Sequence, residues 1–337
     1  MSALVVTAAG PLSSLQDGGR WGNLRNGVTP AGAMDMIALV AANVMAGNAP
    51  TEAAIEFTLA GDSFEVDAES VRLAVAGDAA ITLNDAPATG WRSFTLKRGD
   101  RLRIGALRSG ARGYVAIAGG VASPPQLGSR SVHARSGLGG GPLRAGDRIP
   151  LGDGARASGG DVAVDPATLP YLPAPIRVVL GPQEDRFTAA GLATFLDGEY
   201  SVTAEADRMG YRLDGPEIEH RDGFNTISDA ILTGSIQVPG TRKPIVLMAD
   251  RQTTGGYPKI ATTATASLPT LAQLKPGDRL RFAAVSADEA RDLLRAQVEA
   301  IRTLPARLQP LLRDPRDLPS ELLLATNLIT GVVGPHD

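Results

Sequence analysis

The spacing of apolar residues along the chain predicts a protein built mainly from β-strands. Apolar and polar positions alternate over residues 71–75, 81–83 and 102–104, the period of two expected when a strand buries one face. Two denser apolar runs, 176–180 and 245–248, predict strands that are buried on both faces. The 39 glycines and 24 prolines supply the tight turns that many short strands need.

Three segments carry the signals of helices instead. Residues 34–46 predict a helix that ends at Gly47, because glycine tolerates the left-handed conformation common at helix ends. A short helix is expected after residues 183–187. The last helix begins at Ser286, which is placed to form a capping box with Glu289. Its apolar residues fall on one face at helical spacing, namely Ala290, Leu293, Leu294, Val298 and Ile301.

Three copies of a short motif reveal an internal repeat. Residues 96–103 and 274–281 are identical at seven of eight positions, and residues 143–149 form a looser copy. In each copy we expect the Gly-Asp pair to make a tight turn, in which the aspartate binds nearby amides. A strand then follows whose arginines face solvent. The repeat therefore bears on the architecture more than on the active site.

The repeat predicts two related all-β units followed by a helical tail. We place the N-terminal unit at residues 1–160, the C-terminal unit at 161–285 and the tail at 286–337. Within the tail, residues 321–333 form a second apolar piece, which we expect to pack on the body of the protein or on a partner. Closed or nearly closed barrels would hide the edges of so many short strands.

Composition excludes several classes of function. The 337 residues carry a net charge of -3, which argues against the basic face of a nucleic-acid-binding protein. No cysteine is present, so thiol catalysis, disulfides and cysteine-ligated metals are excluded. Three scattered histidines, His133, His220 and His336, predict no histidine-based metal site. Without a signal peptide or an apolar run of about 20 residues, we expect a cytoplasmic protein.

Residues 207–212 are the first candidate for chemistry. Arg208 and Arg212 lie two strand steps apart, so both guanidinium groups could converge on one carboxylate or phosphate. Gly210 between them would allow a ligand to approach the backbone. The alternative is that each arginine is satisfied within the fold by a nearby carboxylate, from Asp207, Asp214 or Glu217.

Residues 250–258 follow an apolar strand directly and form the second candidate. Polar side chains at the end of a buried strand, followed by two glycines, are typical of a loop shaped around a small molecule. Asp250 could act as a base or orient Arg251, and Thr253 and Thr254 could donate to anionic oxygens. The alternative is a tight glycine turn whose polar residues bind one another.

Polar residues near the start of the chain have simpler explanations. Asp35 is placed to bind the first amides of the early helix, so capping alone could explain it. Glu52 and Glu56 lie four residues apart and could pair with Arg20 or Arg25, or remain solvated.

Seven motifs, in their order and spacing over about residues 10–283, resemble those of one known family. That family contains the C subunit of 5-oxoprolinase, is also described as biotin-dependent carboxyltransferase or allophanate hydrolase subunit 2-like, and includes KipA. The motifs lie at residues 15–20, 32–35, 42–48, 181–185, 207–213, 237–239 and 250–258.

The resemblance implies two cyclophilin-like β-barrel domains and ATP-dependent opening of 5-oxoproline to L-glutamate. It also implies two partners, a smaller homologue that resembles the B subunit of 5-oxoprolinase and a protein that resembles its A subunit. ATP is the implied cofactor, and an interface between subunits is one expected place for it. Catalytic roles would fall on Arg208, Asp250 and Arg251, with the arginines binding phosphate or carboxylate; these roles are our hypothesis. Substrate-binding positions would be Gln16, Asp17, Tyr211, Arg212, Gln237, Thr253, Thr254, Gly255, Gly256 and Tyr257.

Two other functions stay open. The chain has no biotin-accepting segment and no ATP-grasp region, so a fused carboxylase is excluded. A free-standing carboxyltransferase subunit, which acts on urea or another small amide with a biotin carrier in trans, is the first alternative. The second is a KipA-like regulatory binding protein, for which residues 286–302 and 321–333 would provide a docking surface.

Overall fold

The computed structural model of the protein describes residues 2–154 and 160–311. These residues form a mainly β fold, as the sequence predicts. In chain order the strands of the first half are β1 (Ala3–Ala8), β2 (Ser14–Gln16), β3 (Ala54–Thr58), β4 (Ser63–Asp67), β5 (Ser70–Ala76), β6 (Ala79–Leu83), β7 (Ala86–Ala88), β8 (Arg92–Lys97), β9 (Arg101–Leu107), β10 (Arg112–Ile117), β11 (Arg148–Pro150) and β12 (Asp161–Ala163).

The strands of the second half are β13 (Ile176–Leu180), β14 (Tyr200–Val202), β15 (Gly210–Asp214), β16 (Asp229–Ala230), β17 (Ser235–Gln237), β18 (Ile245–Leu247), β19 (Thr254–Gly255), β20 (Lys259–Thr263), β21 (Arg279–Leu280), β22 (Phe282–Ala284) and β23 (Gln309–Leu311). The helices are α1 (Met36–Ala46), α2 (Ala189–Asp197), α3 (Leu268–Ala272) and α4 (Ala287–Arg302).

Two sheets enclose the core of the N-terminal unit. One has the order β11-β1-β4-β9-β6-β7, the other the order β2-β3-β10-β5-β8-β12-β23. Ala60 makes bridges to both Thr58 and Ala106, so it connects the two sheets at one side. The side chains between the sheets are apolar, among them Leu4, Val6, Phe57, Phe64, Leu73 and Val115. The unit is therefore a nearly closed barrel.

Strand β5 is buried on both faces, although its alternation predicts a half-buried strand. Val71, Leu73 and Val75 face the core between the sheets, whereas Ala74 and Ala76 pack against α1. The small alanines allow the helix to lie close to the outer face of the sheet. Alternate residues of β5 therefore face two different apolar environments, the core between the sheets and helix α1, and neither face of the strand is turned to solvent.

Helix α1 confirms its sequence signals at both ends. Asp35 Oδ1 accepts hydrogen bonds from the amides of Ile37 and Ala38, at 2.9 and 3.0 Å, and the helix stops at Gly47, whose φ is 85°. It begins two residues later than predicted. Met34, the first residue of the predicted range, instead packs into the apolar core of the C-terminal unit.

The C-terminal unit is one eight-stranded sheet that nearly closes on itself. Its order is β21-β14-β15-β18-β17-β20-β13-β22, and a single residue, Arg281, separates its two edge strands in the chain. Ile176 and Val178 of β13 are buried in its core, but the other residues of that strand are only half-buried. The prediction that 176–180 is buried on both faces was wrong: the alternate residues Arg177 and Val179 are only half-buried, although α4 contacts this strand.

The three repeated motifs form the same turn in space. Each glycine has a positive φ, at 84°, 93° and 92° for Gly99, Gly146 and Gly277. Each following aspartate accepts a hydrogen bond from the amide three residues earlier, at 2.7 Å for Asp100, 2.7 Å for Asp147 and 2.8 Å for Asp278. The predicted turns are confirmed, and the arginines that follow them are exposed.

Helix α4 begins with the predicted capping box. Ser286 Oγ accepts from the amide of Glu289 at 3.1 Å, and Glu289 Oε2 accepts from the amide of Ser286 at 2.7 Å. Val298, predicted on the packed face, is exposed. Its neighbour Gln297 is buried instead and donates to the carbonyl oxygens of Pro170 and Ala266, at 3.0 Å each. The short helix expected after residues 183–187 is α2, preceded by a 3-10 turn at Glu184–Arg186.

Strand pairing crosses the predicted division of the chain. β12, which the predicted boundary assigns to the second unit, pairs with β8 of the first, and β23 then pairs with β12. The division at residues 160 and 285 stays a prediction. The apolar piece 321–333 lies outside the described residues. No helix within residues 2–154 and 160–311 is long and apolar enough to cross a membrane.

Candidate functional site

A buried cluster of ion pairs joins the two units at their seam. Arg208 donates from Nη1 to Glu56 Oε1 at 2.6 Å and from Nη2 to the carbonyl oxygen of Gly32 at 2.8 Å. It also holds Asp250 with two hydrogen bonds, from Nε at 2.9 Å and from Nη2 at 2.8 Å. A bidentate arginine–carboxylate pair is among the stronger hydrogen-bonded arrangements in proteins.

The local fold explains why Arg208 and Asp250 meet. Arg208 stands just before β15 and Asp250 just after β18, and these strands pair antiparallel. The start of one therefore lies beside the end of the other, where the amide of Asp250 donates to the carbonyl oxygen of Arg208 at 2.8 Å. Glu56 comes from β3 of the first unit, so the cluster needs both units.

Glu56 is held as a carboxylate in the interior. Burial would raise the pKa of Glu56, but the guanidinium groups of Arg208 and Arg112 outweigh it and hold that pKa below its usual value. Arg112 Nη1 lies 3.8 Å from Glu56 Oε1. Tyr114 donates its hydroxyl to Glu56 Oε2 at 2.6 Å. Opposite charges and hydrogen bonds thus offset the cost of burying the carboxylate.

A second buried carboxyl, Asp35, continues this polar network. Its Oδ2 accepts from the Tyr171 hydroxyl and from Gln273 Nε2, each at 2.6 Å. Gln273 Oε1 in turn accepts from the amides of Ala111 and Arg112, at 2.9 and 3.0 Å. Burial raises the pKa of Asp35 to about 6, although its hydrogen bonds act in the opposite direction. Residues of both units are therefore fixed around one helix cap.

A cavity of about 270 Å³ opens beside the ion-pair cluster. Its walls combine the cluster with apolar and polar side chains, including Gln16, Arg112, Val132, Arg135, Arg208, Met209 and Asp250. Gln16 donates from Nε2 to Ser14 Oγ and to the carbonyl oxygen of Val132, at 3.0 and 3.1 Å. The cavity has the mixed lining of a small-molecule site.

Arg251 points away from this seam into a second polar cluster. Only 2% of its surface is exposed. Nε donates to the carbonyl oxygen of Ile231 at 3.2 Å and Nη1 to Thr233 Oγ1 at 2.7 Å. Within residues 2–154 and 160–311 no carboxylate forms an ion pair with it, and burial lowers the pKa of Arg251 to about 10. It differs in this from Arg208, which is held by two carboxylates.

The residues after Arg251 form one strand of a small ribbon. β19 (Thr254–Gly255) pairs with β16 as a separate two-stranded sheet, and the carbonyl oxygen of Thr253 accepts from the amide of Ile231 at 3.0 Å. A Cβ on Gly255 would lie 2.7 Å from Gln237 Nε2, so a larger residue there would require the Gln237 side chain to move. Gln237 is buried and donates to the carbonyl oxygen of Tyr257 at 3.2 Å.

Not every predicted residue joins these clusters. Arg212 is exposed and pairs with Glu205 at 2.9 Å, so it does not converge with Arg208. Tyr211 lies in the apolar core and donates to the carbonyl oxygen of Ala272 at 3.1 Å. Thr254 and Tyr257 are exposed, and Gly256 accepts from the amide of Thr226 through its carbonyl oxygen at 2.8 Å.

Asp17 is fully occupied by local hydrogen bonds. It accepts from the hydroxyls of Ser129 and Ser131 at 2.7 and 2.5 Å and from the amides of Gly19 and Arg130 at 2.8 and 2.6 Å. Burial would raise the pKa of Asp17, but these bonds lower it overall. Its contacts therefore fix the loops around it.

The early acidic residues pair differently from the sequence expectation. Glu52 pairs with Arg130 at 3.4 Å, and Glu56 pairs with Arg208 as described. Arg20 is buried and donates to the carbonyl oxygens of Ser131 and Gln126, at 2.5 and 3.3 Å. In the described part of the chain, no group of three or more His, Cys, Asp or Glu could hold a metal ion.

Sequence reasoning missed Arg112, Gln273 and Lys259. Lys259 Nζ is buried and lies 3.2 Å from Asp229 Oδ2. The one signal available for it was a lysine inside the apolar strand that continues through Ile260 and Ala261, since a charged residue in a buried run is unusual. Arg112 and Gln273 carried no comparable signal.

Comparison with known proteins identifies relatives over most of the chain. The family described as "Carboxyltransferase domain, subdomain A and B" matches residues 26–284. The C subunit of 5-oxoprolinase from Escherichia coli is 36% identical over 291 residues, which is 85% of this chain and 93% of that protein. The protein of the same name from Haemophilus influenzae is 34% identical over 286 residues, covering 84% of this chain and 91% of its own.

Longer proteins contain a similar segment. Urea amidolyase of Lachancea kluyveri is 33% identical over 339 residues, which is 93% of this chain but 18% of that protein. The crystal structure of the K. lactis urea amidolyase superposes with a TM-score of 0.81 at 30% identity, covering 93% of this chain and 21% of that one. That of TTHA0988 gives a TM-score of 0.75 at 32% identity, covering 84% and 56%.

Proposed function

The chain belongs to the carboxyltransferase-domain family, and we propose that it is the C subunit of an ATP-dependent 5-oxoprolinase, which opens 5-oxoproline to L-glutamate. One observation carries this choice of reaction. The two 5-oxoprolinase C subunits match this chain over more than nine-tenths of their own length, whereas the urea amidolyases match over about one fifth. The proposed enzyme is a hydrolase that acts on a cyclic amide.

Opening this ring needs activation because amide resonance stabilises the unstrained lactam. Phosphorylation of the carbonyl oxygen by ATP makes the carbon electrophilic, and water then opens the ring with release of phosphate and glutamate. The seam cluster does not fit a triphosphate, because the charges of Arg208 and Arg112 are matched by those of Glu56 and Asp250. We therefore propose that ATP binds elsewhere in the assembled complex.

The contacts of the three arginines support proposed roles that differ from those expected from the sequence. Arg208 holds Asp250 and Glu56 in place and acts as a positioning residue beside the 270 Å³ cavity. Arg212 is exposed on the surface. Arg251 remains to bind the substrate carboxylate or the phosphoryl group, since no carboxylate of the described residues neutralises it. This follows from charge, because an anion would stabilise a buried guanidinium that lacks a counter-ion.

We propose that the chain works with two partners, a smaller homologue that resembles the B subunit of 5-oxoprolinase and a protein that resembles its A subunit. Activity would then require the assembled complex, and the chain alone would be inactive. The TTHA0988 chain extends well beyond the segment matched here, which is consistent with further domains acting beside this fold.

A carboxyltransferase function is the second candidate. The family description and the urea amidolyase relatives favour it. In that case a separate carrier would bring carboxybiotin, and the acceptor would be urea or another small amide.

Glutamate release from 5-oxoproline and ATP by the co-purified complex tests the first proposal. Arg251→Gln should lower kcat/KM by about ten- to a hundredfold, the usual worth of a hydrogen bond to a charged group. Arg279→Gln is the matched control and should leave the rate unchanged, because Arg279 is exposed and pairs with Glu199. No turnover by a well-assembled wild-type complex would contradict the proposal, and carboxyl transfer from carboxybiotin to urea would then be measured.

A further inference from the structure

Lys259 is a buried lysine with one hydrogen-bond partner. Its relative exposure is 1%, although lysines are almost never fully buried unless they are paired. Its ammonium group has three donors. Among residues 2–154 and 160–311, only Asp229 accepts a hydrogen bond from Nζ, at 3.2 Å. Two of its donors thus have no acceptor among the described residues.

The partner of Lys259 is poorly placed to neutralise it. Asp229 belongs to β16, and its side chain is 57% exposed. The ribbon of β16 and β19 pairs only with itself and is not part of the eight-stranded sheet. An ion pair whose carboxylate lies largely in water contributes little. A ligand oxygen could therefore take the place of the Asp229 carboxylate at low cost.

The ribbon covers a group of polar side chains that includes this lysine. Gly255 pairs with Asp229 across the ribbon, and a Cβ on it would lie 2.7 Å from Gln237 Nε2 and 2.6 Å from Ile231 Cδ1. Gln237 is the cross-strand neighbour of the lysine. Arg251 donates to the carbonyl oxygen of Ile231. Lys259 and Arg251 therefore contact the same short segment, at the Asp229 carboxylate and at the carbonyl oxygen of Ile231 two residues later.

We propose that Lys259 and Arg251 together bind an anionic oxygen group, a carboxylate or a phosphoryl group, beneath the β16–β19 ribbon. The bound anion displaces Asp229 from the Lys259 ammonium. Lys259 and Arg251 bring two positive charges to this region, and among the described residues Asp229 is the one carboxylate that forms an ion pair with either of them, so the region favours an anion. In the proposed reaction the group is the carboxylate of 5-oxoproline or the phosphoryl group on its activated form, and only this identification rests on the proposed function.

Calorimetric titration of the full chain with 5-oxoproline and with inorganic phosphate tests this site. Lys259→Met should weaken binding of the anion about ten- to a hundredfold, because it removes a hydrogen bond to a charged group. Asp229→Asn should strengthen it about two- to fivefold, because the competing charge is lost while the side-chain shape is kept. Lys243→Gln, at an exposed lysine paired with Asp214, is the matched control and should change nothing.

The opposite signs of the two variants separate ligand binding from a structural role. If Lys259 served only to stabilise the ribbon, Asp229→Asn would not strengthen anion binding. Equal or weaker anion binding in that variant therefore overturns the proposal. It is overturned also if wild-type protein binds neither probe. The Asp229 side chain is largely exposed, so Asp229→Asn should fold even if Lys259→Met does not. Circular dichroism measures whether each variant is folded.

Two further arms identify the anion. If the site takes the substrate carboxylate, 5-oxoproline binds and 2-pyrrolidone, the same lactam without the carboxylate, does not. If the site takes the phosphoryl group, inorganic phosphate binds with the same dependence on Lys259 and Asp229. Either pattern without glutamate release from the complex would support the anion site and refute the proposed reaction.

Discussion

Replacing Arg208 by methionine should destabilise the protein strongly, because it removes the guanidinium group that pairs with the buried Glu56 and the partly buried Asp250. Arg208 makes four hydrogen bonds of 2.6–2.9 Å, and its side chain is 15% exposed while that of Glu56 is 1% exposed. Removing one partner of a buried ion pair typically costs about 3–5 kcal/mol of unfolding free energy. Arg112, at 3.8 Å, is the nearest cation left to Glu56, so we expect a loss within that range.

Urea unfolding followed by two probes measures this loss and locates it. Both tryptophans, Trp21 and Trp91, lie in the N-terminal unit, so their fluorescence reports on that unit while far-ultraviolet circular dichroism reports on both. Because Arg208 links the units, we expect the two transitions to separate in the variant. In the double variant Arg208→Met/Glu56→Gln the loss should be smaller than the sum of the single losses by about 1–3 kcal/mol.

The matched control is Arg212→Met, at an arginine four residues away that pairs on the surface with Glu205. Exposed ion pairs contribute at most about 1 kcal/mol, so little change is expected there. A loss below about 1 kcal/mol for Arg208→Met, or additive losses in the double variant, would refute the view that this cluster holds the units together.

Two further predictions concern the helix caps. Burial raises the pKa of Asp35 to about 6 from 3.8, so the folded state binds the proton more tightly than the unfolded state. Relative to Asp35→Asn, the wild type should therefore lose about 3 kcal/mol of unfolding free energy as the pH rises from about 4 to about 7. Parallel curves of unfolding free energy against pH for the two proteins would contradict this. Ser286→Ala removes the capping hydrogen bond of α4 and should cost about 1 kcal/mol; amide hydrogen exchange in the first turn measures it, and unchanged protection there would show that the cap contributes nothing.

Features that depend on neighbouring residues could be predicted from the sequence. The repeated Gly-Asp turns and the N-terminal ends of α1 and α4 are fixed by side chains within a few residues of the amides that they bind. Such short-range bonds form wherever the local pattern occurs. The β class followed from the same kind of local regularity.

The composition of the site could not be predicted in the same way. Glu56 and Arg208 are separated by 152 positions, and which carboxylate meets which arginine depends on how two complete sheets pack. The spacing argument for Arg208 and Arg212 failed because Arg208 precedes β15 rather than lying within it, so the period of a strand does not relate the two side chains. Lys259 went unnoticed because its ion-pair partner, Asp229, lies 30 positions earlier in the chain, on a ribbon separate from the sheet that holds the lysine.

The pairing of β12 with β8 and β23 has a consequence for biosynthesis. The last strand of the sheet that contains β12 is β23, formed by residues 309–311. The ribosome makes these residues after the whole of the second unit. Until those residues leave the ribosome, β12 presents unpaired amide and carbonyl groups, as any open sheet edge does. A nascent chain that stalls within α4 would therefore expose β12 as an unpaired edge strand, to which strands of other chains can pair. We expect a chain truncated at the end of the second barrel to aggregate for the same reason.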